Sequence, residues 1–490
     1  MATYATRGAD GTTVRWRDTK RYLWVLGLVV PLTPIVGIAL FEATGSALFF
    51  WLTPVVFFGL IPLIDLVAGY DDTNPPDDVI DALENDRYYR WVTYLYLPVQ
   101  YGGFVAAIWY LATTDMAVLA KVGLAVSVGV VGGVAINTAH ELGHKRESVE
   151  RWASKIALAQ TFYGHFYIEH NRGHHVRVAT PEDPASARMG ESVYRFWPRT
   201  VAGSLKSSWE LEAKRYQRKG THPFHLGNDV LNAWLMTVAL WGGLMLWLGL
   251  AYDVNPLSLL PYLLLQAVVG FSLLEVVNYM EHYGMVRQKV GTPGKMRYER
   301  VTPAHSWNSN NIATNVLLYH LQRHSDHHAN PTRRYQTLRD FEDAPVLPTG
   351  YTGMIVVAMF PPAFRAVMDK RVVAHYDGDL RLANLHPAKR EKLLRRYPVP
   401  AELLAAEAAV EAAVEADTSA HELTGEVLAA QCPGCQYTYE VAEGNELEGF
   451  AAGTAWQDIP DDWCCPDCGV REKVDFKAVE PRRHISQVGA

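Results

Sequence analysis

HELGHK, residues 140–145, closes an apolar run that begins near residue 116. Taken alone, His140-Glu141-Leu142-Gly143-His144 is the H-E-x-x-H pattern of a zinc protease, two histidines on one helical face with a glutamate between them. The alternative is one corner of a larger metal site with different chemistry, and the rest of the chain decides between them. A run of this length is about long enough to cross a ~30 Å hydrocarbon core, which would put the motif at the end of a membrane span.

The rest of the chain supports a membrane setting. Five further apolar stretches of similar length lie near 22–42, 47–69, 89–112, 230–251 and 257–280, with Trp and Tyr near their ends. Apolar residues make up 49% of the 490 and charged residues only 20%, an unusual balance for a soluble enzyme. The net charge of -7 leaves no basic excess for neutralising nucleic-acid phosphates. The first 21 residues are polar and hold Arg7, Arg15, Arg17, Lys20 and Arg21, so they do not read as a cleavable signal. The short links around 43–46, 113–115 and 252–256 contain no Lys or Arg, whereas Arg87, Arg90, Lys145, Arg146, Arg151, Lys155, Arg287 and Lys289 collect on the other side. The positive-inside rule then places both termini and two large polar stretches, 140–229 and 281–400, in the cytoplasm. The apolar segment 352–368 is interrupted by Pro361 and Pro362 and is expected to lie in the interface or on the cap.

Three more histidine clusters accompany the first. EHNRGHH holds His170, His174 and His175, LQRHSDHH holds His324, His327 and His328, and NYMEHYG places His282 directly after the sixth span. Together with His140 and His144 these are nine of the chain's 18 histidines. Solvated imidazoles have no reason to recur at helical spacing beside membrane ends, so the pattern points to metal. A catalytic zinc takes three protein ligands and keeps one position open, which cannot account for nine. Two irons at about four or five nitrogens each can, although imidazole suits iron, copper and zinc alike. Glu141, Glu169, Glu281 and Asp326 each neighbour a ligand candidate and are expected to accept the second ring N–H, a direct carboxylate ligand being the alternative. His165, His305 and His320 are candidates for positions beside the site or for purely structural roles.

This set of HxxxH, HxxxHH and HxxHH boxes on a membrane chain resembles the membrane desaturase–hydroxylase superfamily. Within it, HELGHK, EHNRGHH, NYMEHYG and LQRHSDHH together resemble the integral-membrane alkane 1-monooxygenases over roughly residues 20–375. The resemblance implies an all-α membrane protein with a non-haem di-iron centre that inserts one atom of O₂ into the terminal C–H of a linear alkane. The matching ligand and catalytic positions are the nine histidines. Phe57, Phe58 and Trp109 are mid-membrane aromatics that are candidates to line the substrate channel, helix packing being the plainer role for each. A lipid desaturase or other membrane di-iron hydroxylase of the superfamily is the alternative.

All five cysteines lie within the last 60 residues. CPGC (432–435) and CPDC (465–468) are two C-x-x-C knuckles separated by 29 residues, and four such thiolates bind either zinc or a single iron. The surrounding CPGCQYTYE, GNELEGFAAGTAW and PDDWCCPDCG resemble rubredoxin along nearly its whole length, which implies iron on Cys432, Cys435, Cys465 and Cys468, and an aromatic core of Tyr437, Tyr439, Trp463 and Phe476. Gln436 departs from the glycine common after the first knuckle, and Cys464 stands where an apolar residue is usual.

The expected organisation is a membrane hydroxylase domain (1–400) of six transmembrane helices with a cytoplasmic histidine-rich helical cap, an Ala/Glu-rich spacer (401–430), a rubredoxin domain (431–480) and a tail (481–490). A tethered one-electron carrier suits a site that needs two electrons per turnover, because tethering raises its effective concentration to the order of mM. A separate NAD(P)H-dependent flavin reductase is implied, since no dinucleotide-binding G-x-G-x-x-G domain is evident. The implied location is a bacterial-type cytoplasmic (inner) membrane.

Overall fold

A computed structural model describes residues 3–7, 13–291, 296–405 and 427–480. Most of the spacer and the whole 481–490 tail lie outside the described residues. Among the described residues, six helices are long and apolar enough to cross a membrane: Leu23–Thr44, Ala47–Ala68, Arg87–Thr113, Val118–Gly143, Asp229–Tyr252 and Pro256–Glu281. Each overlaps a stretch expected from the sequence. Their ends carry ordinary stop and start chemistry. Gly45 takes the left-handed conformation after the first span, and the side chain of Asn228 accepts hydrogen bonds from Val230 N and Leu231 N at the start of the fifth.

The spans share the membrane unequally. The most apolar part of the fourth span is 72% buried, against 22–44% for the other five, so it is the central helix. Large side chains such as Leu48, Val67 and Leu250 point outward, as expected where the surrounding solvent is lipid. The closest crossing is between the fourth and sixth spans, where small residues let the backbones meet. A Cβ on Gly129 would lie 2.7 Å from Gln266 O, and one on Gly133 would lie 3.0 Å from Gly270 O. These are the two helices that end in His140–His144 and His282, so their crossing sets the first and the weakest histidine box at the same end of the bundle.

The polar stretches after the fourth and sixth spans fold over this same end of the bundle. Helices Ser148–Leu158 and Val193–Arg218 belong to the first, and Ile312–Leu317 and His324–Ala329 to the second. Asp65 of the second span pins the second stretch by accepting a hydrogen bond from Thr314 N (3.0 Å). The apolar segment with the paired prolines is two helices, Tyr351–Ala358 and Pro361–His375, bent by 120° at the break. Proline cannot donate the amide hydrogen bond that would continue the first helix.

Residues 429–478 form a small separate unit with a three-stranded antiparallel sheet (Ala429–Gln431 paired with Thr438–Glu440 and Lys477–Ala478). It packs on the histidine-bearing end of the bundle.

Candidate metal centres

Each histidine box presents its rings by a different local geometry. On the fourth span His140 and His144 are one helical turn apart, with ring centroids 4.9 Å from each other. Glu169–His174 is a π-helix, a wider turn in which residues five apart align. That widening brings together His170 and His175, whose Nε2 atoms are 3.0 Å apart, and turns His174 toward a different set of rings. In the third box a regular α-helix pairs His324 with His328 (Nε2 to Nε2, 2.8 Å), while His327 points away to His175 (3.1 Å). His282, fully buried at the end of the sixth span, lies 3.3 Å from His324.

All nine expected histidines are thus gathered, in two adjacent groups. One holds His140, His144, His170, His175 and His327; the other holds His174, His282, His324 and His328; in each, the potential ligand atoms lie within 4.8 Å of one another. The groups touch, with the rings of His175 and His328 centred 4.4 Å apart. Both are buried. Removal from water and the neighbouring rings hold His144, His170, His175, His324, His327 and His328 well below the ordinary imidazole range. The rings are therefore neutral, the form that offers lone pairs to a cation.

The donor set fits metal ions. His175 Nε2 sits within 3.1 Å of both His170 Nε2 and His327 Nε2, and His140, His144 and His174 each bury an Nε2 with no protein partner. Buried polar atoms left unpaired are costly, and facing lone pairs repel. A cation between them removes both penalties.

The carboxylates do not follow the sequence expectation. Glu141 pairs with Lys145 (3.0 Å) and accepts from Tyr335 N, Glu169 pairs with Arg177 (2.9 Å), and Asp326 holds Arg333, Asn330 and Arg339 N. None of the three meets a histidine ring nitrogen, because a residue next to a ligand on a helix points about 100° away from it. Glu281 alone of the four reaches the site, with Oε2 3.3 Å from His324 Nε2. The carboxylate that orients a ring is Asp183, whose Oδ2 accepts from His174 Nδ1 at 2.9 Å. It lies nine residues from His174 in an irregular loop, so no local motif marks it. His165 is buried with neither ring nitrogen bonded, and burial lowers it to about 4. It packs on Tyr163 rather than on the two groups. His305 accepts from Thr302 N in a helix cap, and His320 donates to Tyr335 O.

An apolar cavity runs from within the bundle to His140, His170 and His324. Phe57 and Phe58 line it, from a π-turn in the second span, together with Leu273, Val277, Leu318 and Ile355. Trp109 corrects the sequence expectation. It is 37% exposed, meets Tyr252 edge-on, and borders an outward-facing groove with Trp247 instead of this cavity. The third span turns Phe104 and Ile108 inward, which leaves Trp109 on its outer face.

In the small unit, Cys432, Cys435, Cys465 and Cys468 are buried and converge. The measured Sγ separations are 3.8 Å (Cys432–Cys468) and 3.5 Å (Cys435–Cys465). A tetrahedron with ~2.3 Å metal–sulfur bonds has edges of about 3.8 Å, so a single ion fits. Cys464 is outside the set, and burial pushes its thiol up to about 12. Tyr439, Trp463 and Phe476 are in the aromatic core as expected, and Tyr437 packs at its edge. Phe450 and Trp456 complete it and were not anticipated.

Arginines of the histidine-bearing end meet acids of the small unit: Arg172 with Glu448 (3.0 Å), Arg300 Nε with Asp475 (3.0 Å) and Arg146 with Asp467 (3.5 Å). Arg146 also donates to Cys435 O.

Two parts of the chain match known protein families. Residues 117–358 match the fatty acid desaturase family, and 429–476 match rubredoxin. Alkane 1-monooxygenase 1 of Alcanivorax borkumensis is 45% identical over 391 residues, 80% of this chain and 94% of that protein. Alkane 1-monooxygenase of Ectopseudomonas oleovorans is 46% identical over 78% of this chain and 92% of that protein. The hydroxylase component of a xylene/toluene monooxygenase of Pseudomonas putida is similar at 26% identity over 76% of this chain and 93% of that protein.

Proposed function

Because the chain belongs to the alkane 1-monooxygenase family, we propose that it converts linear alkanes to 1-alkanols with O₂, drawing electrons from its own rubredoxin domain. One observation carries this reading: the cavity that ends on His140, His170 and His324 is walled almost entirely by hydrocarbon. A substrate with no polar handle can be positioned only by shape and dispersion. Phe57 and Phe58 are placed to limit how far its chain extends, and their walls keep water from the reacting end.

The nine histidines would hold two iron ions, one per group, and the four cysteines a third. Bound there, iron supplies the one-electron steps and the O₂ chemistry that side chains cannot. The chain contributes the rest. Burial holds His144, His170, His175, His324, His327 and His328 well below the ordinary imidazole range, and Asp183 fixes the His174 tautomer so that its Nε2 faces the four-histidine group. The rubredoxin domain rests on the same end of the bundle, which shortens the route for reducing equivalents.

The division into hydroxylase (1–400), spacer (401–430), rubredoxin (431–480) and tail belongs to this reading. So do the cytoplasmic placement of both termini and the site, in an inner membrane, and a separate NAD(P)H-dependent flavin reductase. A second reading, another membrane lipid hydroxylase or a desaturase, is favoured by the match to the fatty acid desaturase family. Membranes containing the protein, incubated with a rubredoxin reductase, NADH and a series of n-alkanes, separate the two by gas chromatography. The expected product is the 1-alkanol; an alkene, or no alkane turnover, rejects the first reading. His282→Ala is expected to lose iron from the membrane domain together with activity, and a His305→Ala control to keep its iron.

A further inference from the structure

The two knuckles of the rubredoxin domain are built alike but are not used alike. Each is followed by a residue in the left-handed region, Gln436 at φ 62° and Gly469 at φ 68°. Each of these donates its amide hydrogen within its own knuckle, Gln436 N to Cys432 O (3.0 Å) and Gly469 N to Cys465 O (2.9 Å). The first knuckle tolerates an exposed glutamine there, so the knuckle itself does not demand glycine. At Gly469 the demand comes from outside. A Cβ would lie 2.6 Å from the Asn171 carbonyl oxygen and 3.6 Å from His175 Cβ. Asn171 is in the π-helix of the second histidine box, and its backbone cannot step aside as a side chain could. Val470, the next residue, is partly buried and packs against the membrane-domain core as well as that of its own domain.

We propose that Gly469 is the positioning residue through which reducing equivalents leave the rubredoxin iron: the second knuckle, seated backbone to backbone on Asn171–His175, is the exit side, and the first knuckle, held through its Cys435 carbonyl by the Arg146 side chain, is an anchor and not the exit. The proposal rests on the function proposed above. Each passage moves one electron, oxidising the ferrous thiolate centre to ferric and reducing the histidine-held centre by one. Two passages, with two protons from solvent and one O₂, balance the conversion of RH to ROH and water. The missing side chain lets Cys468 approach a box that contributes to both histidine groups.

The test uses the full-length protein carrying Gly469→Ala, Gly469→Asn or Gln436→Ala. Asparagine tolerates the left-handed region, so it separates crowding at the contact from strain in the knuckle. The rubredoxin iron is reduced without air, mixed with O₂ and octane, and followed by return of the ferric thiolate absorbance. Both Gly469 variants are expected to re-oxidise at least about tenfold more slowly, equivalent to ~1.4 kcal/mol at the contact, and Gln436→Ala at the normal rate. Re-oxidation at the normal rate in a Gly469 variant with an intact ferric spectrum overturns the proposal. A second measurement leaves the knuckle unaltered: amide hydrogen exchange in the unmodified protein is expected to be slower across 466–472 than across 433–439, and equal exchange also overturns it. A small redox dye that bypasses rubredoxin should restore 1-octanol formation in the Gly469 variants. If the unmodified protein makes no 1-octanol from octane by either route, the function proposed above has failed instead.

Discussion

At the scale of the single residue, neighbours in sequence turn out to have unrelated jobs. Cys464 adjoins Cys465, yet only Cys465 faces the other three sulfurs. Cys464→Ser should therefore keep the red iron–thiolate absorbance, and Cys465→Ser should lose or strongly alter it; equal loss in both would mean the ligand is misassigned. His174 and His175 likewise serve different groups. Asp183 and Asp326 make a matched pair of tests, both buried carboxylates, only one of them bonded to a ring nitrogen. Removing such an orienting carboxylate typically costs about 10–100-fold in metal affinity. Asp183→Asn is expected to lower iron retention on dialysis against a chelator by about that factor, and Asp326→Asn to act mainly on the Arg333 and Arg339 loop. Comparable metal affinity in the Asp183 variant and the unmodified protein would count against its role.

At the scale of the element, the decisive features are one wide turn and one close crossing. The π-helix at Glu169–His174 converts an apparent i, i+4 pair into an i, i+5 pair, and so distributes a single box over two groups. The crossing of the fourth and sixth spans depends on glycines. A Cβ on Gly270 would meet Thr161 Cγ2 at 2.7 Å and Gly129 O at 3.2 Å. Gly270→Val should destabilise the bundle by about 1–3 kcal/mol, the usual cost of overpacking. Because the two crossing helices carry His140 and His282, one in each group, iron loss should accompany the lower unfolding temperature in detergent. A variant that unfolds earlier but keeps all its iron would show that the crossing supports the bundle without aligning the site.

At the scale of the whole molecule, two units with separate cores meet over a polar, arginine-to-acid interface. Such interfaces resemble transient ones, so the membrane unit should not depend on its partner for folding. Deleting residues 418–490 is expected to leave the spans folded and to abolish NADH-driven hydroxylation. Adding the rubredoxin piece in excess should bring it back. Full reductase-driven activity in the truncated protein, with no added donor, would falsify the assignment of the tethered domain as donor. The restored activity should also fall with added salt, since the attraction between the arginines and the acids of an untethered partner must act through water, where it is screened over about 8–10 Å.

The sequence by itself determined the six spans, the nine histidines and the four cysteines. Span length follows from bilayer thickness, and clustered metal-binding side chains are conspicuous because no other force concentrates them. Glu281 reaches the site at His324, distant in sequence, and not at the neighbouring His282 from which it was singled out. What only the tertiary structure decided is how these pieces divide. Which histidine joins which group depends on a π-turn that local spacing does not announce. Asp183, Phe450 and Trp456 reach their sites through loops, whose paths no periodicity encodes. Trp109 faces outward because rotation of a span about its axis is set by packing against its neighbours, and hydropathy records only that it is a span. Glu141, Glu169 and Asp326 sit beside ligands in the chain but not in space, because each step along a helix turns the side chain by about 100°.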